Sequence, residues 1–229
     1  MEEGLDLSQD GVRRWQVDTL DIVGMSLGPA MTNTYLLGST GGDTAVVVDP
    51  AWDGERIAAE AERQGWRISF IWLTHAHFDH FGGSAGLDAA SPNPIPVALH
   101  PADQPLWRFN GGASLFGVEG FDPGPEPEIP FEHGQMLRLD DHIFEVRHTP
   151  GHTPGHVILV ERRLGVTFCG DLIFMDGVGR VDLPGGSWET LLNSIHQEVL
   201  TLPDDMRLFP GHGPDTTVGR ERAHNPWLS

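Results

Sequence analysis

Residues 74–80 carry the sequence THAHFDH, which places four side chains that can bind metal ions within six positions. The apolar run at residues 68–73, just before it, predicts a buried strand. Where the chain stays extended after this strand, residues two apart point to the same side, so His75 and His77 can bind one ion. Asp79 and His80 enter the next turn and can bind a second ion beside it. A loop that merely carries three histidines is the alternative, and this density of ligands argues against it.

Three further segments each place one possible ligand in a turn that contains glycine and follows a predicted strand. They are Pro150-Gly151-His152, Cys169-Gly170-Asp171 and Pro210-Gly211-His212. Glycine lets the backbone turn sharply at a sheet edge and lets an ion approach closely. Together with the first motif, these turns supply five imidazoles and two carboxylates, which suit Zn²⁺ and also iron or Mn²⁺. The sequence therefore predicts one metal centre assembled from four distant stretches of the chain.

The charge balance narrows the class of partner. The 229 residues include 33 Asp and Glu against 14 Lys and Arg, which gives a formal net charge of −19. All the cations are arginine, because the sequence contains no lysine. Nucleic-acid binding depends on clustered cations that neutralise phosphates, so a nucleic-acid partner is not expected. We expect a small-molecule substrate instead.

Length, hydropathy and cysteine content predict one soluble domain that spans residues 1–229. No apolar run approaches the roughly 20 residues that a membrane span needs. The first ten residues, MEEGLDLSQD, lack the basic and apolar parts of a signal peptide, so we expect a cytoplasmic protein without a membrane partner. Cys169 is the only cysteine, which excludes an internal disulfide and a cysteine-rich zinc site. The sequence leaves open whether the protein is a monomer or a homodimer.

Predicted strands outnumber predicted helices along the chain. Strands are predicted at residues 15–23, 34–37, 44–48, 68–73, 96–100, 136–147, 157–161, 166–169 and 206–209. Helices are predicted from a cap at Asp53 to about residue 64, at residues 101–109, and after a cap at Ser187. Residues 111–130 are rich in glycine and proline and are the best candidate for a mobile lid. Runs of strands with few helices favour a layered α/β sandwich over a doubly wound sheet.

Four motifs occur in an order that resembles the metallo-β-lactamase superfamily over nearly the whole chain: THAHFDH, HTPGHTPGH (148–156), FCGD (168–171) and FPGHG (209–213). More narrowly, NTYLL (33–37), VVDP (47–50) and GRVDLPGG (179–186) resemble the short bacterial glyoxalase II-like hydrolases. The resemblance implies a four-layer αβ/βα sandwich. It also implies two divalent ions, with zinc the first expectation, held by His75, His77 and His152 on one side, by Asp79, His80 and His212 on the other, and by Asp171 as a bridge.

Two other residues are interpreted through the same resemblance. Asp49 resembles an aspartate that, in the superfamily, would orient a ligand histidine or fix the neighbouring loop, and an ordinary turn residue is the alternative. True β-lactamases of two subclasses use a cysteine as a metal ligand, whereas the matching position here resembles Asp171. Cys169 is therefore expected to be a small buried hydrophobic residue. His148 and His156 are expected to lie outside the metal shell.

The predicted centre suggests hydrolysis. Two ions about 3.5 to 4 Å apart lower the pKa of a shared water toward about 7 and polarise a substrate carbonyl, so a metal-bound hydroxide is the expected nucleophile. Asp79 and Asp171 are the ligands to which a catalytic role is assigned. Because a thiolate leaves readily, we expect hydrolysis of a thioester of a low-molecular-weight thiol, as in hydroxyacylglutathione hydrolases.

Alternative activities and substrate contacts remain open at this stage. A related family, the mononuclear iron persulfide dioxygenases, would use His75, His152 and Asp171, and a lactonase would use the same hydroxide. A metal-binding scaffold without activity is disfavoured because none of the seven ligands is missing. Substrate contacts are predicted at Arg180 and Tyr35, or within the lid. Pairing of Arg180 with Asp182, and core packing of the lid aromatics, are the alternatives.

Overall fold

Two β-sheets form the centre of the computed structural model, which describes residues 11–228. The first sheet contains β1 (Val12–Val17), β2 (Leu20–Leu27), β3 (Thr32–Ser39), β4 (Thr44–Val48), β5 (Arg67–Trp72), β6 (Val97–Leu99) and β7 (Ile129–Pro130). These strands lie side by side in chain order. The first four form an antiparallel meander, and the remaining strands add in parallel to β4.

The second sheet is built from the other half of the chain. Its strands are β8 (Met136–Leu139), β9 (His142–His148), β10 (Val157–Glu161), β11 (Val166–Gly170), β14 (Arg207–Pro210) and β15 (Thr216–Thr217). A separate small hairpin is formed by β12 (Ile173–Phe174) and β13 (Gly177–Val178). The strand order across the second sheet is β15-β14-β11-β10-β9-β8. The pairing of β11 with β14 is parallel, so the two carboxyl ends meet at one edge.

Helices cover the outer face of each sheet. They are α1 (Gly54–Gln64), α2 (Phe78–Phe81), α3 (Ser84–Ala90), α4 (Gln104–Arg108), α5 (Trp188–Ser194) and α6 (Val218–His224). Residues Pro101–Asp103 and Asn110–Phe116 form 3₁₀ turns, and Ile195–Val199 continues α5 as a wider π-helical turn.

Alternation of side chains along the strands divides the apolar interior into layers. In β4, Val46 and Val48 pack between the two sheets with Phe168, whereas Val47 packs on the other side with Ile57 of α1. The strand β10 alternates in the same way between the central core and the core under α5. The layers are therefore helices, sheet, sheet and helices. This confirms the four-layer αβ/βα sandwich that the motifs imply.

Two predicted strands are each a hairpin. The predicted strand 15–23 is broken by Asp18 and the predicted strand 136–147 by Asp140, with φ of 55° and 51°. Aspartate enters this left-handed region more readily than most residues, so a two-residue turn forms without the glycine that usually marks one. The predictions were wrong here because the apolar pattern continues on both sides of each turn.

The predicted helix ends are correct in two of three cases. Gly65, with φ of 76°, ends α1. Ser187 caps α5, because its hydroxyl accepts the N–H of Thr190. The predicted cap at Asp53 is wrong, since this residue is left-handed at φ 49° and its side chain makes no capping hydrogen bond.

Every helix within residues 11–228 is too short or too polar to cross a membrane. The stretch MEEGLDLSQD, from which the expected location was argued, lies outside the described residues.

Leu159→Ala tests the core between the sheets. Leu159 is completely buried there, so its truncation is expected to lower the free energy of unfolding by about 2 to 5 kcal/mol, measured by urea denaturation. Ile143→Ala is the matched control, because Ile143 on β9 is 42% exposed and should cost less than about 0.5 kcal/mol. Equal losses in the two variants would contradict the layer assignment.

Candidate metal centre

The predicted ligands all follow strand ends at one edge of the sandwich. The THAHFDH motif follows β5, His152 follows β9, Asp171 follows β11, and His212 follows β14. His77 is extended, with φ −77° and ψ 142°, and the next residue begins α2. The single turn of α2 then carries Asp79 and His80. Residues distant in sequence thus share one site because their strands end together.

His75, His77 and His152 form one group of buried ring nitrogens. The Nε2 atom of His152 lies 2.8 Å from Nδ1 of His77 and 3.2 Å from Nε2 of His75. Burial lowers the pKa of His75 well below its usual value and lowers that of His77 to about 3. Burial also lowers the pKa of His152. Neutral imidazole is the form that binds a metal ion, so this group suits one cation.

Asp79, His80 and His212 form a second group. The Oδ2 atom of Asp79 lies 3.4 Å from Nε2 of His212 and 3.8 Å from Nε2 of His80. Burial opposes charge on both rings, but the carboxylates prevail: Asp171 and Asp79 raise the pKa of His80 well above its usual value and that of His212 to about 9. This side of the centre therefore favours positive charge.

Asp171 lies between the two groups. Its Oδ2 atom is 3.6 Å from Nε2 of His152 and 3.5 Å from Nε2 of His212. Its Oδ1 atom is 3.3 Å from Nε2 of His80, yet both of these buried atoms lack a hydrogen-bond partner among the described residues. A buried polar atom without a partner is costly, and a metal ion would satisfy both. The donor set therefore fits the two ions that the fold implies.

Hydrogen bonds behind the centre fix the orientation of two rings. The Nδ1 atom of His152 donates to the carbonyl of Arg180 at 2.7 Å, and Nδ1 of His80 donates to Oδ2 of Asp49 at 2.9 Å. Each bond leaves Nε2 free to face the centre. Asp49 also accepts from the backbone N–H and the hydroxyl of Thr74. Asp49 thus makes both contacts that the resemblance implies, to a ligand histidine and to the neighbouring loop.

Gly211 shows why glycine accompanies a ligand here. A Cβ atom at this position would overlap Oδ1 of Asp171 and lie 2.6 Å from Cε1 of His80. Any larger residue would therefore displace two residues of the centre. This supports the interpretation of the Pro-Gly-His turn that ends in His212.

Three nearby residues lie outside both groups, as expected. His156 accepts the backbone N–H of Asp171 through Nε2 at 3.1 Å, and its Nδ1 lies 2.9 Å from the hydroxyl oxygen of Thr149. His148 stacks on His100. Cys169 is completely buried among apolar residues, and burial raises the pKa of its thiol. None of the three joins a group of possible ligands among residues 11–228.

The predicted substrate contact at Tyr35 is wrong. Its ring is buried in the core between the sheets, and its hydroxyl donates to the carbonyl of Pro210 at 2.8 Å. Arg180 is half exposed and pairs with both oxygens of Asp182, as the alternative interpretation proposed. Its guanidinium also lies 5.8 Å from the ring centre of Phe116. Arg180 is therefore accessible from solvent, whereas Tyr35 is not.

An apolar cleft adjoins His77. It is lined in part by Phe109, Leu115, Phe116 and Leu183, and the first three side chains are 54%, 56% and 47% exposed. Leu115 and Phe116 belong to the predicted lid, and Phe109 lies just before it; Phe116 packs against Phe78 of α2. Just before the predicted lid, Trp107 is buried in the core and Arg108 pairs with Glu126. The cleft places a small apolar surface next to the first group.

Comparison with known proteins agrees with this arrangement. Residues 27–212 match the model of the metallo-beta-lactamase superfamily. The chain belongs to this superfamily. Its members are metal-dependent hydrolases, and their fold binds two metal ions.

Several relatives of this metallo-β-lactamase superfamily member are similar over most of their length. The hydroxyacylglutathione hydrolase GloC of Haemophilus influenzae is 36% identical over 186 residues, which are 81% of this chain and 87% of that protein. The crystal structure of TTHA1623 in a di-iron-bound form is 39% identical, with a TM-score of 0.81 over 90% of this chain and 99% of that one. The BLEG-1 B3 metallo-beta-lactamase is 36% identical, with a TM-score of 0.83 over 90% of this chain and 98% of that one.

The sequence interpretation missed residues that support the ligands from distant strands. The hydroxyl of Thr32 donates to Oδ2 of Asp79 at 2.8 Å. The amide of Asn33 donates to the carbonyls of Pro210 and Gly213, which flank His212. Asn33 begins the NTYLL motif, but neighbouring residues do not reveal either contact, because both depend on how β3 packs in the folded protein.

Tyr35→Phe tests the placement of Tyr35. The carbonyl of Pro210 keeps its hydrogen bond from Asn33, so we expect a loss of only about 0.5 to 1.5 kcal/mol in the free energy of unfolding. The KM for a hydrolysed substrate should not change, because the hydroxyl does not reach the cleft. A large increase in KM without a loss of stability would restore the original prediction.

His100 supplies a prediction about pH. Burial, followed by the charge of His148, lowers the pKa of His100 from 6.5 to about 4. The folded pKa lies below the unfolded value, so the unfolded chain binds more protons and this residue reduces stability as the pH falls from about 6.5 toward 4. We expect the free energy of unfolding in urea to fall less across this window for His100→Asn than for the wild type. His196→Asn, at an exposed imidazole, is the control, and parallel profiles for His100→Asn and the wild type would refute the assignment.

Proposed function

We propose that this hydrolase cleaves a thioester of a low-molecular-weight thiol at the centre formed by His75, His77, Asp79, His80, His152, Asp171 and His212. The main observation in support is that both ligand groups and the carboxylate between them are complete, in a chain that is 36% identical to a hydroxyacylglutathione hydrolase. When bound, two divalent ions would supply an activated water and a Lewis acid for the carbonyl group. Zinc is our first assignment for these ions, with iron or manganese as the alternatives.

The charge state of the carboxylates supports a thiolate leaving group. Although burial opposes ionisation, the surrounding histidines lower the pKa of Asp79 to about 2 and that of Asp171 well below its usual value. Neither residue can donate a proton near neutral pH. An amine leaves poorly without a proton, whereas a thiolate leaves as a stable anion. The catalytic role we assign to both carboxylates is to hold the reacting groups rather than to protonate the product.

The surroundings of the centre support a small acyl thioester as the substrate. The apolar cleft beside His77 can hold the aliphatic part of an acyl group or of the thiol, through Phe109, Leu115 and Phe116. Arg180 lies beside Phe116, which lines this cleft, and can bind a carboxylate if the substrate displaces Asp182. The net charge of −19 disfavours a nucleic-acid substrate at the same site.

The experiment combines metal analysis with a panel of substrates. Protein purified without chelator should contain two ions per chain and should release free thiol from S-lactoylglutathione or a related small acyl thioester. Asp171→Asn should lower kcat/KM by more than the roughly 10- to 100-fold that is typical of residues behind the ligands. Glu60→Gln is the control, because Glu60 is a buried carboxylate that pairs with Arg14 and Arg63 in the outer helix layer.

Other outcomes would identify a different reaction at this site. Sulfite production from a persulfide by protein with one iron per chain would show that the enzyme is a dioxygenase and not a thioesterase. Opening of lactone or β-lactam rings without thioester turnover would assign the activity to those substrates. Fully metal-loaded protein that is inert toward all four classes would refute the proposed enzyme.

A further inference from the structure

The carboxylate of Asp103 contacts both loops that carry the group of His75, His77 and His152. Its Oδ2 atom accepts the N–H of Ala76 at 3.0 Å and the hydroxyl of Thr153 at 2.7 Å. Its Oδ1 atom accepts the N–H of Gly155 at 2.6 Å. Asp103 is completely buried, so these contacts are shielded from water.

The positions of these partners connect Asp103 to the ligands. Ala76 lies between His75 and His77, and Thr153 directly follows His152. Asp103 itself belongs to a third segment, the 3₁₀ turn that follows β6. One side chain therefore joins three segments of the chain immediately behind the first group of ligands.

Gly155 gives independent evidence that this contact is close. A Cβ atom at Gly155 would lie 2.6 Å from the backbone nitrogen of Asp103 and 2.8 Å from its Cγ atom. Only glycine allows the backbone of the His152 loop to approach the carboxylate this closely. The second glycine of the HTPGHTPGH motif is thus explained by Asp103, and not by a metal ion.

The chemistry of the contact suits an ionised carboxylate. All three partners are donors, so both carboxylate oxygens act as acceptors. Hydrogen bonds to a charged acceptor are about twice as strong as neutral ones. Burial raises the pKa of Asp103, and these hydrogen bonds act against that effect. An asparagine would turn an amide N–H₂ toward at least one of these donors.

We propose that Asp103 is a positioning residue that holds His75, His77 and His152 in a geometry ready for one metal ion. It has no contact with the second group, which Asp49 supports through His80. The inference rests on the metal centre of the proposed function and does not depend on the identity of the substrate. Asp49 contacts His80 of the second group and also Thr74, next to His75, whereas Asp103 contacts only the loops of the first group.

The test measures Co²⁺ binding by calorimetry and by absorption of the bound ion. His212→Ala removes a ligand of the second group and leaves the first group intact. His152→Ala removes a ligand of the first group and leaves the second group intact. Adding Asp103→Asn should lower Co²⁺ affinity by about 10- to 100-fold in the His212→Ala background and by less than about 3-fold in the His152→Ala background. Equal losses in both backgrounds, or no loss in either, would overturn the proposal.

Two further variants keep the test decisive. Glu60→Gln in each background controls for the loss of a buried carboxylate elsewhere and should leave both Co²⁺ affinities unchanged. If Asp103→Asn does not fold, Thr153→Val removes a single hydrogen bond to Asp103 and should give a smaller loss in the same background only. Because the readout is metal affinity, failure to cleave a thioester would refute the proposed function and leave this result intact.

Discussion

The close approach of ionisable side chains inside a largely buried site is the constraint on which the rest of the structure depends. Ring nitrogens of His77 and His152 lie 2.8 Å apart, and oxygens of Asp171 lie 3.3 to 3.6 Å from histidines of both groups. Such groups lose their hydration when they are buried, and they remain together only if something replaces it. The sandwich brings these groups together by ending β5, β9, β11 and β14 at the same edge, and hydrogen bonds and bound ions would take the place of water.

Three of the ligands are in turn held by a polar group behind the centre. The carbonyl of Arg180 fixes the ring of His152, Asp49 fixes that of His80, and Thr32 donates to Asp79. These supports come from parts of the chain far from the ligands that they hold. Rigidity at the site is therefore a property of the assembled sheets and not of the individual loops, in keeping with the need to pre-organise a metal centre.

Local patterns were enough to predict the layered fold and the residues that gather at its edge. THAHFDH carries its ligands within a few positions, and the turns before His152 and His212 are marked by Pro-Gly, so each signal lies in adjacent residues. The prediction for Tyr35 was wrong because a tyrosine within a strand motif can face either side of its strand, and here it faces the central core. Asp103 carries no local signal, since its partners at Ala76 and Gly155 become neighbours only after folding.

The two supporting carboxylates also complete a charge balance. Asp79 and Asp171 place two negative charges among the ligands, and Asp49 and Asp103 place two more directly behind them. Two divalent ions would carry four positive charges, which these four carboxylates would balance as long as the bound water keeps both of its protons. Buried charge is tolerated where it is compensated, so Asp49 and Asp103 would favour the ions electrostatically as well as by holding the loops. A centre that is close to neutral when loaded would accept an uncharged thioester carbonyl, while the apolar cleft beside His77 would hold the rest of the substrate.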